Sequence, residues 1–337
     1  MVSETELKPV KVALEKAPQV AIIVLNWNAW DLTQKALESL RCLRYPNYEI
    51  ILVDNGSLTK PDGFEKSFPN LLFVQTGSNL GYTGGNNAGI KIALARNADF
   101  ILILNNDVLV EDPNLLIKLV TVCRHSQAVG IVAPRILQYT HNGVEIRQKY
   151  FGRIQTLLSV LVLGARSLSF RGCSWRKMLE ETTSSIRNEF EGVAQVCGCA
   201  MLVSRSFFER IGYFDERLFM YDDEYDLCLR GVDAGFLVLQ ATSVSVTRLN
   251  VCKQEAMPSY RTYLLGRNRF LLAKKRSRRL HAPLFIGLHL VSSLKLALTL
   301  VRHRRWAELG SLLYGLRDGV LGRWGITPRL RILLMPQ

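Results

Sequence analysis

The stretch Ile101-Leu102-Ile103-Leu104-Asn105-Asn106-Asp107 drives an apolar run straight into two amides and one carboxylate. A short apolar run of this kind reads as a strand buried on both faces, with polar groups placed where it leaves the core. The same pattern recurs in VAIIVLN from Val20, EIILVDN from Glu49, LLFVQTG from Leu71 and VGIVAPR from Val129. Helical patterns lie between most of them. Leu32, Ala36, Leu37 and Leu40 repeat at helical spacing after Asp31, a candidate cap, and Asp112-Pro113 offers a second helix start. Strand and helix alternating in this way predict an α/β fold: a Rossmann-like, mostly parallel sheet with helices on both faces.

Ligands of such sheets collect at the carboxyl ends of the strands. Here those ends carry Asn26-Trp27-Asn28, then Asp54-Asn55-Gly56-Ser57, then Asn79-Leu80-Gly81, then Asn105-Asn106-Asp107. Asn, Asp and Gly form turns anywhere. Four such ends along one sheet edge instead favour a shared ligand. Neither the glycine fingerprint of nicotinamide dinucleotide sites nor a Gly-Lys-Ser/Thr phosphate loop is present, so a nucleotide held by side chains fits best.

The chain has 337 residues, 48% hydrophobic and 21% charged, which is the balance of a globular protein. Residues 1–19 are polar and read as a flexible N-terminus. Lys and Arg outnumber Asp and Glu by 43 to 29, a net charge of +14 that favours anionic partners. Much of the excess lies from Lys274 onward, in KKRSRR, RHRRW and PRLR. These clusters flank Ala282 to Val301, an apolar helix with His289, Ser292, Lys295 and Thr299 set opposite Ile286, Leu290, Leu294, Leu298 and Val301. That pattern predicts a basic, amphipathic helical tail over 277–337 in peripheral contact with anionic lipid, ahead of a single span or of a helix packed on the globular part. Basic residues interleaved with leucines rather than exposed aromatics argue against nucleic acid as the partner.

Seven cysteines without regular spacing, and no signal-peptide pattern, predict a reducing, cytoplasmic setting, at the inner face of the membrane if the tail binds there. Cys197-Gly198-Cys199 sits in the apolar run VAQVCGCAMLV and reads as packing. Val193 to Ser204 reads as a strand, and Ile154 to Leu163 as a packed helix. A cluster of acids follows at Asp222-Asp223-Glu224-Tyr225-Asp226; with Asp222 as cap, the others fill the first turn of a helix, where a fixed, partly desolvated carboxylate suits general-base work.

Six stretches in order, IIVLNWN, ILVDNGS, NLGYTGGNNAGI, ILNND, CGCAMLVSRSFFERIGYFDERLFMYDDEYDLCLR and YRTYLLGRNR, resemble the family 2 glycosyltransferases of the GT-A fold, in particular the bacterial rhamnosyltransferase-like branch. The resemblance covers Val20 to about Arg276. It implies a nucleotide-binding half over 20–135 and an acceptor half over 136–276. It also implies an inverting transfer of a sugar, rhamnose among the candidates, from a nucleotide diphosphate to a saccharide or lipid-linked acceptor. By the same resemblance Asp54 contacts the base, Asn79 lies against the nucleoside with Gly81 beyond it, and Asn26 sits nearby. Asn105 to Asp107 takes the place of the metal motif, with Asp107 as ligand of Mg²⁺ or Mn²⁺ and Asn105 orienting the donor.

Two departures from the family stand out. The acidic pair is Asp223-Glu224 rather than the usual Glu-Asp; position favours Glu224 as base, and residue type leaves Asp223 open. A His that follows the last strand in many members is replaced by Thr247-Arg248, so Arg248 is expected to pair with phosphate oxygens. The alternatives are weak metal dependence, a catalytically weakened or inactive relative, and a nucleotidyltransferase. Against the last, no basic triphosphate loop follows the first strand. The arginines of YRTYLLGRNR read equally well as a salt-bridged helix.

Overall fold

The computed structural model describes residues 17–68, 71–139, 145–147, 190–249, 258–276 and 282–335. The helix expected over Ile154 to Leu163 and most of the N-terminal 19 residues lie outside them. Five strands stand where the apolar runs predict them: β1 (Val20–Asn26), β2 (Tyr48–Asp54), β3 (Leu71–Gln75), β4 (Phe100–Asn105) and, after the two-residue β5 (Val108–Leu109), β6 (Val129–Tyr139). The rest are β7 (Glu145–Arg147), β8 (Phe190–Gly192), β9 (Ala200–Ser204) and β10 (Leu237–Arg248). They form one sheet in the order β3-β2-β1-β4-β9-β6-β10-β5. β1 to β4 are parallel neighbours; β9 runs antiparallel between β4 and β6, and β6 and β10 are again parallel. The four polar strand ends of the sequence therefore share one edge.

Alternation along each strand divides the core in two. Ile22, Val24, Leu102 and Leu104 face α1 (Trp30–Ser39) and α3 (Leu115–His125), where Leu37, Leu40, Leu116 and Leu119 meet them. Ile23, Ile51, Val53, Ile101 and Ile103 face the other way, onto Ile90 and Ala93 of α2 (Gly81–Ala95), Phe207 and Phe208 of α4 (Arg205–Ile211), and Leu227 and Cys228 of α5 (Asp223–Asp233). Helices thus cover both faces.

Local starts differ from the sequence reading. Asp31 lies inside the first turn of α1 and makes no capping bond; Asn26 Oδ1 takes the Ala29 amide instead. Asp112 closes an Asx turn onto the Asn114 amide at 2.9 Å, so α3 begins at Leu115 and Pro113 precedes it. Asp222 occupies the cap position of α5 without a side-chain cap bond, because its backbone is left-handed, φ 60°. The strand expected from Val193 is only Ala200–Ser204; just ahead of it the Cys199 carbonyl accepts the Asn105 amide at 2.8 Å, one step beyond the pairing of β9 with β4.

Among the described residues four more helices follow: α6 (Ser259–Arg276), α7 (Ala282–Arg302), α8 (Trp306–Val320) and α9 (Pro328–Leu333). α6 lies on one side of the expected boundary near Arg276 and packs on α8 on the other. A Cβ at Gly315 would sit 2.1 Å from the Tyr263 carbonyl, so the two backbones approach as only glycine permits. Of the polar stripe expected on α7, His289 is turned inward with Ser293 and bonds the Gly266 carbonyl at 2.9 Å, while Ser292, Lys295 and Thr299 stay exposed beside the leucines.

Candidate active site

Asn26 is fully buried and its amide is used within the protein: Nδ2 donates to Asp54 Oδ1 at 3.3 Å and Ser57 Oγ at 3.1 Å, and Oδ1 accepts from Thr33 Oγ1 at 2.8 Å. Asn106 Nδ2 donates to the same Thr33 hydroxyl at 3.0 Å. These amides tie the ends of β1, β2 and β4 together, so Asn26 and Asn106 hold neighbours rather than reach a ligand. Asn79 Oδ1 takes the Gly81 amide at 2.8 Å and the Asn55 amide at 3.2 Å. Asn55, not singled out in the sequence as a site residue, also accepts the Leu80 amide at 3.0 Å and fixes the turn into α2. Gly81 is buried, with φ +74°, and a Cβ there would meet the Phe219 carbonyl at 2.4 Å. Its place on the donor side is structural: glycine alone fits the conformation and the approach.

At the end of β4 the expected metal ligand and the expected phosphate partner meet. Arg248 Nε donates to Asp107 Oδ2 at 2.8 Å, and β5 pairs with the end of β10 alongside. Burial opposes the charge on Arg248, but the Asp107 carboxylate outweighs it and holds the guanidinium above its ordinary pKa. Asp107 Oδ1 is buried without a hydrogen-bond partner. Among the described residues no three His, Cys, Asp or Glu side chains converge as a metal site. The group here whose chemistry fits a hard cation is the unpartnered carboxylate oxygen of Asp107. Asn105 contributes its backbone amide to the Cys199 carbonyl, which leaves its side chain at the strand end.

The acidic helix is presented by a strained turn. Phe219, Tyr221 and Asp222 have φ of 69°, 67° and 60°, uncommon for non-glycine residues. What holds them is buried and polar. Asn268 Nδ2 donates to the carbonyls of Leu218, Met220 and Tyr221 at 3.1, 2.8 and 3.0 Å. Arg267 donates to the Arg217, Leu218 and Gly325 carbonyls. Of the three arginines in YRTYLLGRNR, Arg267 is therefore no surface salt bridge; with Asn268 it supplies donors to carbonyls that the turn leaves without strand or helix partners. From the other side Thr83 donates its amide to the Phe219 carbonyl at 3.1 Å, and Asn87 brackets Phe214 and Glu216. Lys275 joins Asp215 to Asp226, at 2.7 Å each.

Asp223 and Glu224 diverge in environment. Asp223 is 2% exposed, and burial, reinforced by the neighbouring Glu224 carboxylate, pushes its pKa well above the usual carboxylate range. Its Oδ2 has no hydrogen-bond partner. Glu224 is partly exposed. The turn at Cys197-Gly198-Cys199 stands beside this helix, and the charges of Arg248 and Asp107 also act on its thiols: a Cβ on Gly198 would stand 3.4 Å from Glu224 Cβ and 3.1 Å from the Tyr82 hydroxyl, and that hydroxyl donates to the Gly198 carbonyl. Tyr82 and the two cysteines are thus part of the site wall, which sequence reasoning missed because apolar context favours packing. Burial, then Asp223 and Glu224, push the Tyr82 phenol up, so it stays a neutral donor. The contact with Cys199 holds the Cys197 thiol below its ordinary value against burial, and Cys199 is raised.

The comparisons with known proteins agree with this geometry. The family described as glycosyl transferase family 2 matches residues 21–212. A low-salt glycan biosynthesis hexosyltransferase, Agl10 of Haloferax volcanii, is 24% identical over 95% of this chain and 97% of its own. An N-acetylglucosaminyl-diphospho-decaprenol L-rhamnosyltransferase of Mycobacterium tuberculosis is 25% identical over 67% of this chain and 74% of its own. Among solved structures, the mannosyltransferase PcManGT of Pyrobaculum calidifontis, in complex with GDP-Man and Mn²⁺, shares the fold with TM-score 0.54 at 14% identity, over 92% of this chain and 89% of its own. S. aureus TarS 1–349 in complex with UDP-GlcNAc does so with TM-score 0.56 at 12% identity, over 94% and 84%. With the family matched across more than half its length and the strand ends gathered on one sheet edge, the chain belongs to glycosyl transferase family 2 and is a nucleotide-sugar-dependent glycosyltransferase.

Proposed function

We propose that the chain is an inverting enzyme that transfers a hexose, rhamnose foremost, from a nucleotide diphosphate to a hydroxyl of a lipid-linked saccharide at the cytoplasmic face of a membrane. The observation that carries the catalytic part is the placing of the partly exposed Glu224 beside the Cys-Gly-Cys turn, on whose thiols the charges of Asp107 and Arg248 also act. Glu224 takes the proton of the acceptor hydroxyl as it attacks the anomeric carbon from the face opposite the leaving group. Asp223, buried and with its pKa pushed up by burial and by the Glu224 carboxylate, takes no part in the proton transfer. Arg248 faces the departing diphosphate with a guanidinium, Asp54 receives the base, and Asn79 and Asn55 keep the turn beside it in place. Asp107 would hold Mg²⁺ or Mn²⁺, and such an ion supplies Lewis-acid stabilisation of the leaving diphosphate. The name of the mycobacterial relative, and the Mn²⁺ in the mannosyltransferase structure, support the lipid-linked acceptor and the metal. Incubation with dTDP-, UDP- and GDP-sugars, with and without Mn²⁺, tests the reading: release of the matching nucleoside diphosphate on adding a prenyl-diphosphate saccharide is expected. Release of pyrophosphate from a triphosphate would overturn it.

Membrane contact has its own support. α7 is 21 residues long and holds an 18-residue stretch with mean hydropathy 1.9, enough by length and composition to cross a bilayer, of which 22% is buried. Leu284, Leu294 and Leu298 are 57%, 60% and 62% exposed, whereas His289 and Ser293 are buried. Leucines facing out, with Ser292, Lys295 and Thr299 exposed beside them, make the outer surface of this helix amphipathic, the pattern of a helix that lies in a membrane interface. The protein should co-sediment with anionic phospholipid vesicles, and Leu294→Glu with Leu298→Glu should weaken this about 100-fold, since each leucine contributes at least about 1.5 kcal/mol on leaving water. Equal binding by the double variant would refute the assignment.

A further inference from the structure

We infer that Cys197 and Cys199 are a reversible dithiol–disulfide pair whose oxidation closes the transferase site. Their sulfurs lie 3.2 Å apart across the single residue Gly198, so about 1 Å of closure makes a disulfide. Cys197 is partly exposed and Cys199 is 3% exposed, which gives one thiol that an oxidant reaches and one that resolves it. Both cysteines pack in the apolar core, and the turn they form also reaches the site: Gly198 between them is pinned by the Tyr82 hydroxyl and lies against Glu224, and the Cys199 carbonyl is bonded to the Asn105 amide two residues before Asp107. Pulling the two sulfurs together puckers this turn, and both of its anchors lead to residues of the site.

The oxidant by chemical class is a peroxide. The Cys197 thiolate attacks one oxygen of hydrogen peroxide; the O–O bond breaks and yields the sulfenic acid and hydroxide. Cys199 sulfur then attacks the sulfenic sulfur, the S–S bond forms as the S–O bond breaks, and the hydroxyl leaves as water with the thiol proton of Cys199. Two thiols lose two electrons and the peroxide becomes two waters. An added dithiol reverses the step by exchange. In a reducing compartment such a bond is transient, as redox-sensing disulfides are.

The inference rests on the glycosyltransferase reading for its effect on turnover but not for the chemistry, and two separate readouts keep them apart. The full chain is treated with hydrogen peroxide, and the proteolytic fragment holding both cysteines is weighed. The expected result is loss of two hydrogens, restored by dithiothreitol, together with at least a tenfold drop in nucleoside diphosphate release that dithiothreitol also reverses. Within each variant, the ratio of treated to untreated activity should fall in Cys42→Ser as in the wild type and stay flat in Cys197→Ser. No disulfide in the fragment, or oxygen added to Cys197 without one, overturns the inference. So does a disulfide that leaves turnover unchanged, or equal peroxide sensitivity in Cys197→Ser. A reduced protein that forms the disulfide but turns over no nucleotide sugar would count against the functional reading instead, and nucleotide-sugar binding by thermal shift would then be required to change on oxidation for the inference to stand.

Discussion

Glu224→Gln is expected to lower kcat by about 10²–10⁴-fold, the range for loss of a general base, with the KM for the donor little changed. Gln keeps the volume and the position at the start of α5 but cannot accept the acceptor's proton. Asp223 is 2% exposed, and burial, with its neighbour's carboxylate, pushes its pKa well above the usual carboxylate range, so it is not expected to take over. Asp223→Asn should therefore cost less turnover, and it gives a second signature. Because the folded protein holds the Asp223 proton more tightly than the unfolded chain, wild-type stability falls as pH rises above about 4 toward the raised folded value. The Asn variant removes that loss, so its denaturation midpoint should vary less with pH and exceed the wild type's near neutrality. Steady-state kinetics and urea denaturation at pH 5 and pH 8 check both. Wild-type kcat in Glu224→Gln, or a larger loss in Asp223→Asn, would exclude Glu224 as base.

Asp107→Ala is expected to lower kcat/KM by about 10²–10³-fold, comparable to removing a group that stabilises charge developing in the transition state. Two features are lost at once: the buried, unpartnered Oδ1 and the 2.8 Å anchor of Arg248. Arg248→Ala separates them. It removes one charge-assisted contact, worth about 1.5–3 kcal/mol, and should appear mainly as a weaker donor KM. It also leaves Asp107 without its cation, so Mn²⁺ should bind the variant more tightly, measurable by electron paramagnetic resonance of free Mn²⁺. If Asp107 served only to orient Arg248, the two single variants and the double variant would be equally impaired; an Asp107→Ala loss well beyond that of Arg248→Ala is the expected result.

Much of the fold was legible because its cause is local. Apolar runs ending in Asn and Asp mark buried strands at any position, and ILILNND did so for β4 and, by repetition, for its neighbours. The antiparallel β9 was not legible as such, since direction is a property of the connection. At the site the limits are sharper. Asn26, Asn55, Asn79 and Asn106 look alike as polar strand-end residues; only packing shows Asn26 and Asn106 spent on one another's neighbours. Likewise the same text, YRTYLLGRNR, fits a solvated helix until Arg267 and Asn268 are seen enclosed around the turn at Leu218 to Tyr221.

By itself the sequence determined which residue types stand at the strand ends and where the acidic helix begins, because hydrophobic period and turn chemistry act over a few neighbours. Only the tertiary structure decided which of those groups are consumed inside the protein and which, like Asp107, keep an oxygen without a partner. The Asp107–Arg248 pair joins residues 141 positions apart, and Cys197-Gly198-Cys199 becomes a wall of the site by contact with Tyr82 and Glu224. Hydrogen-bond capacity is finite, and which partner uses it is settled by distance in the folded chain.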